Sequence, residues 1–125
     1  MAGELILIIE DNEKNRKLAR DVLQVKGYQT IESETAEEGL ELAAEKSPAL
    51  ILMDIQLPGI DGITALKRLR ADPKTKNIAV IAITASAMTH NRQTLLAEGF
   101  DGYQTKPITL KDFLEEVRRV LDARA

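Results

Sequence analysis

The sequence predicts an α/β fold in which a doubly wound parallel sheet carries helices on both faces. Three runs, at 5–9, 50–53 and 78–83, are apolar at every position and contain many β-branched side chains. Continuous apolar runs of this length are typical of parallel strands that are buried on both faces. Amphipathic stretches with helical spacing separate these runs. This alternation of strand and helix predicts right-handed crossovers around one sheet.

Two weaker strands and a first helix complete the beginning of this pattern. The segments 28–32 and 102–104 mix polar and apolar residues, which suits strands at the edges of a sheet. The first helix is predicted from Leu18, Val22 and Val25, which share one helical face. Gly27 follows at the position where a helix often ends in a glycine.

Four further helices are predicted from their capping residues and apolar stripes. Thr35 and Thr109 each open a capping box, Asp61 is the predicted cap of the third helix, and the fourth covers 91–98 before Gly99. The inward residues predicted for these helices are Leu40, Ala43 and Ala44, then Ile63, Leu66 and Leu69, then Leu95 and Leu96, and finally Leu110, Phe113, Leu114, Val117, Val120 and Leu121. Pro48 lies beyond the end of the second helix.

Composition limits the possible functions. A chain of 125 residues with a net charge of −3 predicts one domain, over residues 1–125, without a basic surface for nucleic acid. The sequence has no cysteine and one histidine, which excludes disulfides, thiolate metal sites and histidine-rich clusters. Its apolar runs are too short to span a membrane, and the N-terminus has no signal-type region. We therefore expect a cytoplasmic protein without a membrane partner or an output domain.

Polar residues stand at the carboxyl ends of the predicted strands. Glu10 and Asp11 follow the first strand, Asp54 the third, Thr84 the fourth and Lys106 the fifth. The functional site of a doubly wound sheet lies at this rim. Each residue alone has a plainer interpretation, as a helix cap, a turn residue or a solvated lysine. Their joint occurrence at matching strand ends favours a site.

The chemistry of this set indicates phosphoryl transfer. Clustered carboxylates repel one another, and a divalent cation relieves that repulsion. Mg²⁺ prefers hard oxygen ligands and commonly binds one or two carboxylates together with a phosphate oxygen. A carboxylate nucleophile beside Mg²⁺ and an amine is suited to forming an aspartyl phosphate. The amine of Lys106 would neutralise charge, and the hydroxyl of Thr84 would contact a phosphoryl oxygen.

The motifs also resemble those of response-regulator receiver domains. Glu10-Asp11-Asn12, the segment 54–62 (DIQLPGIDG), Thr84-Ala85 and Lys106-Pro107 carry the resemblance across essentially the whole chain. It is similar in particular to small single-domain regulators of cell-cycle phosphorelays. The resemblance implies the flavodoxin-like form of the fold, with strand order 2-1-3-4-5 and five helices. It also implies a cis peptide bond before Pro107.

Roles for individual residues follow from this resemblance. Asp54 is implied as the phosphoacceptor. Mg²⁺ would be bound by the side chains of Asp11 and Asp54, by the backbone carbonyl of Gln56 and, through a water molecule, by Glu10. Thr84 and Tyr103 occupy the positions of the family's switch pair, although Tyr103 has the alternative role of covering the sheet edge.

The implied partners are signalling proteins. A histidine kinase or a histidine phosphotransferase would supply the phosphoryl group of this two-component system or phosphorelay. A downstream protein would read the face formed by the fourth helix, the fifth strand and the fifth helix, which includes Thr89, His90, Arg92 and Tyr103. The alternative is that partners read only the first helix. Phosphohistidine chemistry at His90 is not expected, since nothing near it in sequence resembles such a site.

Other functions fit the sequence less well. A hydrolase that forms an aspartyl phosphate needs a second acid two residues after the nucleophile, and Gln56 stands there. A flavin-binding carrier needs a phosphate-binding loop after the first strand, and that loop is acidic here. A degenerate receiver that only binds partners is disfavoured because all the chemical positions are filled. A receiver excised from a hybrid histidine kinase stays an alternative.

Overall fold

The sheet forms the centre of a computed structural model that describes residues 3–85 and 91–123. The strands of the described residues are β1 (Leu5–Ile9), β2 (Gln29–Ser33), β3 (Leu50–Asp54), β4 (Ala79–Thr84) and β5 (Gly102–Thr105). Neighbouring strands are all parallel, and their order across the sheet is β2-β1-β3-β4-β5. This confirms the predicted fold class, the strand order and the two edge strands.

Helices alternate with these strands along the chain. They are α1 (Glu13–Val25), α2 (Ala36–Lys46), α3 (Gly62–Ala71), α4 (Arg92–Glu98) and α5 (Leu110–Ala123). None of the helices in the described ranges is long and apolar enough to cross a membrane. Thr89 and His90, which the sequence analysis assigns to the partner-binding face, lie outside the described residues.

The core has two layers because successive strand residues point to opposite faces of the sheet. Ile6 and Ile8 pack in one layer with residues of α1 and α5, such as Leu23 and Phe113. Leu7 and Ile9 face the other layer, which includes residues of α2, α3 and α4. Buried apolar side chains on both faces explain why the central strands are apolar at every position.

Two of the predicted helix caps, Thr35 and Asp61, are confirmed. Thr35 Oγ1 accepts a hydrogen bond from the Glu38 N–H at 3.2 Å, and Asp61 Oδ1 accepts one from the Thr64 N–H at 2.8 Å. Gly27 follows α1 with a φ of 90°, in the left-handed region that glycine adopts without strain. These contacts satisfy backbone groups that a helix leaves unpaired at its ends.

Some predicted inward positions are wrong. Val25 is 83% exposed and Leu18 is 42% exposed, while Leu96 and Leu110 are also exposed. The buried face of α1 is formed instead by Ala19, Val22 and Leu23. At about 100° per residue, Leu18 and Val25 lie roughly 90–110° from the centre of that face, at its margins. Helical spacing alone did not locate the centre of the buried arc.

Candidate functional site

Four chain segments bring polar side chains to the carboxyl ends of β1, β3, β4 and β5. Asp54 and Thr84 are the last residues of β3 and β4. The sequence predicted that each would directly follow its strand, so both lie one position earlier than expected. Glu10 follows β1 directly, and Lys106 follows β5. The register pairs Asp54 with Ile83 and Thr84 with Thr105, so these strand ends lie at one rim. The convergence expected from the sequence is therefore present.

The amine of Lys106 lies between two carboxylates. Its Nζ is 2.7 Å from Asp54 Oδ2 and 2.8 Å from Glu10 Oε1. The Lys106 side chain is 19% exposed, whereas both carboxylate side chains are nearly inaccessible to solvent. Buried charges of this kind need partners with good hydrogen-bond geometry. The lysine is thus the immediate counter-charge for both acids.

Backbone N–H groups hold the remaining carboxylate oxygens. The Gln56 N–H donates to Asp54 Oδ1 at 2.9 Å, and the Asn12 N–H donates to Glu10 Oε2 at 3.1 Å. In each buried carboxylate, one oxygen therefore contacts the Lys106 amine. The other oxygen accepts a hydrogen bond from a backbone N–H of the loop that follows the strand. These four contacts hold both carboxylates in defined orientations.

Gly62 allows α3 to begin directly behind Asp54. A Cβ at this glycine would lie 2.6 Å from the Asp54 carbonyl oxygen and 2.9 Å from the Cα of Ile55. The Gly62 N–H also donates to the Ile55 carbonyl at 3.0 Å. A side chain here would push the helix away from the strand end that carries Asp54, which explains why the loop ends in glycine.

Burial and the neighbouring charges change the protonation equilibria of the site. Burial raises the pKa of Glu10 from 4.5 to about 7; the hydrogen bonds from Lys106 and Asn12 act against this, and the Asp54 carboxylate adds to it. Burial alone would lower the pKa of Lys106, but the Asp54 and Glu10 carboxylates outweigh burial and raise it. The amine therefore stays charged at neutral pH.

The acidic cluster fits a hard divalent cation. Carboxylate oxygens of Glu10, Asp11 and Asp54 all lie within 4.8 Å of one another, with Asp11 exposed and the other two buried. Oxygens that share one Mg²⁺ lie about 3–4 Å apart, since each is about 2.1 Å from the ion. Small side-chain movements, or a water molecule between Glu10 and the ion, would bring this set into range. Three carboxylate oxygens are hard, negatively charged donors of the kind that Mg²⁺, Ca²⁺ and Mn²⁺ bind.

The two predicted switch residues lie at different depths. Thr84 is fully buried, and its carbonyl accepts a hydrogen bond from the Lys106 N–H at 2.9 Å. Tyr103 is half-buried and packs against the core layer that contains α3 and α4. Tyr103 lies on β5 and pairs in the sheet with Ala82 of β4, two residues before Thr84. The peptide bond between Lys106 and Pro107 is cis, as expected.

Glu116 on α5 is a residue that the sequence reasoning missed. Its Oε2 accepts a hydrogen bond from the Tyr103 N–H at 2.8 Å and lies 3.4 Å from Nη1 of Arg92 on α4. A Cβ at Gly102 would lie 2.7 Å from the same oxygen, so the glycine leaves room for the carboxylate. Glu116 thus connects α4, β5 and α5. The only sequence signal was its helical spacing from Arg119, which it also pairs with.

Comparisons with known proteins agree on one family. A family model described as the response regulator receiver domain matches residues 6–118. The polar-differentiation response regulator DivK of Brucella ovis is 42% identical over 116 residues, which cover 93% of this chain and 94% of that protein.

Solved receiver domains have the same fold. The receiver domain of the sensor histidine kinase PA1611 of Pseudomonas aeruginosa, solved with a magnesium ion coordinated in its active site cleft, has a TM-score of 0.88 and 29% identity over 97% of this chain and 99% of that chain. A CheY-like response regulator receiver domain protein of Methanospirillum hungatei also has a TM-score of 0.88, with 28% identity over 98% of this chain and 97% of that chain. The chain belongs to the response regulator receiver domain family, the signalling switches of two-component systems.

Proposed function

We propose that this receiver accepts a phosphoryl group on Asp54, with Mg²⁺, from a histidine kinase or a histidine phosphotransferase. The observation that carries the proposal is the position of the Asp54 carboxylate, between the Lys106 amine at 2.7 Å and the other acids of the cluster. Phosphoryl transfer depends mainly on alignment and on neutralising charge. The rim of the sheet offers both.

The ligand set for the cation follows from the residues at the rim. Asp11 and Asp54 would bind Mg²⁺ through their side chains, Gln56 through its backbone carbonyl, and Glu10 through a water molecule. The ion would supply positive charge next to the phosphoryl oxygens. The role of Gln56 is supported by the hydrogen bond from its N–H to Asp54 Oδ1, since the Gln56 backbone is close to the proposed acceptor.

The chain's own residues would then act as follows. A carboxylate oxygen of Asp54 forms a bond to phosphorus, while the bond from phosphorus to the donor's imidazole nitrogen breaks and leaves its electron pair on that nitrogen. Lys106, already in contact with the attacking carboxylate, neutralises the phosphoryl oxygens. The Thr84 hydroxyl donates a hydrogen bond to one of them.

The missing general acid favours a switch over a phosphatase. A hydrolase that releases phosphate in many turnovers needs an acid two residues after the nucleophile, and this chain has the exposed Gln56 there. We expect slow loss of the phosphoryl group to water, which leaves time for a signal. The alternative of a receiver excised from a hybrid histidine kinase is not favoured by the match over 94% of the DivK relative.

The readout would pass through the surface of α4, β5 and α5. Glu116 joins these three elements through Tyr103 and Arg92. A change at Thr84 that moves Tyr103 would therefore alter this surface, where a downstream protein in the cytoplasm would bind. Thr89 and His90, which we expect at the same surface, lie outside the described residues.

Intact mass measurement tests the acceptor. The parent protein is incubated with Mg²⁺ and a small acyl phosphate and should gain the mass of one phosphoryl group. Asp54→Asn should gain none, while Asp21→Asn, which changes an exposed acid on α1, should be labelled like the parent. Normal labelling of Asp54→Asn would refute the assignment, and omission of Mg²⁺ should slow labelling of the parent.

A further inference from the structure

Arg16 of α1 makes an unusual set of contacts behind the acidic cluster. Its side chain is only 12% exposed, although it lies on a helix at the protein surface. Nη1 donates to the backbone carbonyl of Glu10 at 2.9 Å, Nε donates to Glu32 Oε1 at 3.1 Å, and Nη2 lies 3.4 Å from Glu34 Oε1. One guanidinium therefore joins the end of β1 to the end of β2.

The carbonyl that Arg16 holds belongs to the peptide unit between Glu10 and Asp11. This unit is planar, so fixing its oxygen also fixes the nitrogen and the Cα of Asp11. The Glu10 N–H is held as well, because it donates to the Ser33 carbonyl at 3.1 Å. Both backbone polar groups of Glu10 are therefore hydrogen-bonded, which restricts rotation of its backbone. This restriction determines the direction in which the chain continues to Asp11.

The two glutamates hold the guanidinium in place for this contact. Guanidinium nitrogens lie in one plane at fixed angles, so acceptors on Nε and Nη2 determine where Nη1 points. Glu32 belongs to β2, and Glu34 follows it. A lysine has a single nitrogen and would not meet all three acceptors with the same geometry.

From these contacts we infer that Arg16 is a positioning residue for the cation site. It acts through the Glu10–Asp11 peptide and not through contact with the ion or the phosphoryl group. The inference rests on the proposed function for the identity of the cation, but the backbone effect is measurable without any cation. Removing a residue that orients metal ligands typically weakens metal binding by about 10- to 100-fold.

Arg20 provides a matched control on the same helix. Its Nη1 donates to Glu32 Oε2 at 2.9 Å, and its Nε lies 3.6 Å from Asp21. Arg16→Met and Arg20→Met therefore both remove an arginine that pairs with Glu32, and both lower the net positive charge of α1 by the same amount. They differ in the hydrogen bond to the Glu10 carbonyl and in the 3.4 Å contact with the exposed Glu34, which are contacts of Arg16.

The experiment compares the full-length parent with Arg16→Met, Arg16→Lys and Arg20→Met. Mg²⁺ alone is titrated and followed by calorimetry and by backbone amide shifts, after thermal unfolding in a chelator has shown that each variant is folded. Arg16→Met should weaken Mg²⁺ binding about tenfold, and Arg20→Met by less than about twofold. The loss of Mg²⁺ affinity in Arg16→Lys should lie between these two values. In the metal-free state the amide of Asp11 should shift in Arg16→Met and not in Arg20→Met.

The outcomes separate this inference from the proposed function. Equal Mg²⁺ affinity in Arg16→Met and Arg20→Met, with an unchanged Asp11 amide, would overturn the role of Arg16. If the parent itself fails to bind Mg²⁺, the proposed function loses its cation, and the metal-free Asp11 shift still decides whether Arg16 positions the peptide. If Arg16→Met does not fold, the Mg²⁺ affinity and the metal-free Asp11 amide shift of Arg16→Lys, compared with those of Arg20→Met, test the role of Arg16 instead.

Discussion

The amine of Lys106 contacts Oδ2 of Asp54 at 2.7 Å, so the proposed phosphoacceptor is paired with a cationic side chain. The same amine reaches Oε1 of Glu10 at 2.8 Å. One lysine therefore offsets the repulsion between two buried carboxylates. Mg²⁺ would add two further positive charges to a site that Lys106 already partly neutralises.

Replacing Lys106 tests this double pairing. Lys106→Met leaves two buried carboxylates without their counter-charge, so the metal-free protein should lose about 3 kcal/mol of unfolding free energy. Mg²⁺ should restore part of this loss and therefore raise the melting temperature more in the variant than in the parent. Thermal unfolding with Mg²⁺ and with a chelator measures both effects, and Lys111→Met, on the exposed side of α5, is the control. A variant as stable as the parent in chelator would contradict the pairing.

Replacing Asp11, unlike replacing Lys106, should not destabilise the metal-free protein. It is exposed, and its carboxylate lies within 4.8 Å of those of Glu10 and Asp54. Asp11→Asn removes a charged oxygen ligand, so Mg²⁺ binding should weaken by about 10-fold or more. Repulsion among the acids also falls, and the stability without metal should be no lower than that of the parent. Unchanged Mg²⁺ affinity in a calorimetric titration would exclude Asp11 as a ligand.

Glu116 should make stability depend on pH. Burial alone would raise the pKa of its carboxyl, but hydrogen bonds from Arg119 and from the Tyr103 N–H outweigh burial and hold the pKa below its ordinary value of 4.5. The unfolded chain then binds this proton more readily, so the contribution of Glu116 is present above about pH 4.5 and is lost as pH falls through the lowered pKa.

The variant Glu116→Gln removes this contribution and keeps a hydrogen-bond acceptor for Tyr103. At about pH 7 it should unfold with roughly 1 kcal/mol less free energy than the parent, and the difference should shrink below about pH 4. Urea unfolding at several pH values measures this difference. Glu115→Gln, one position away and exposed, should follow the parent throughout. A loss of stability that does not change with pH would mean that the charge of Glu116 is not what stabilises the fold.

The site could be predicted from sequence because it depends on strand ends. In a parallel sheet the residues that follow each strand share one rim, so Glu10, Asp54, Thr84 and Lys106 were predicted to converge without any knowledge of packing. The strand boundaries themselves were right to within about one residue, since apolar runs end where the backbone leaves the core.

What the sequence did not reveal depends on how the helices rotate and pack. The contacts of Arg16 with Glu10, and of Glu116 with Tyr103, each join a helix to the strand or strand end that precedes it in the chain. No periodicity encodes them, because each needs the relative placement of a helix and a strand end. The exposure of Val25 has the same origin: a helical stripe gives the spacing of apolar residues, and only packing against the sheet fixes which part of the stripe is buried.

The proposed switch couples the rim to the surface of α4, β5 and α5. Thr84 is fully buried at the end of β4, and Tyr103 is half-buried one strand away. Phosphorylation adds charge and acceptor oxygens beside Thr84. A hydroxyl that moves toward them would open space for Tyr103, and movement of Tyr103 would change its N–H contact with Glu116. Such a two-state element lets a local charge change act on a distant surface.

Chemical-shift mapping with and without a stable phosphoryl mimic, in the presence of Mg²⁺, tests this switch. We expect large changes at the amides of Thr84 and Tyr103 when Asp54 is fully modified. Thr84→Ala should still be modified but should show a smaller change at Tyr103, whereas Thr94→Ala, at an exposed position of α4, should respond like the parent. If the changes are confined to α1 and the acidic cluster, partners read the first helix and the coupling through Tyr103 is wrong, while the assignment of Asp54 as phosphoacceptor is unaffected.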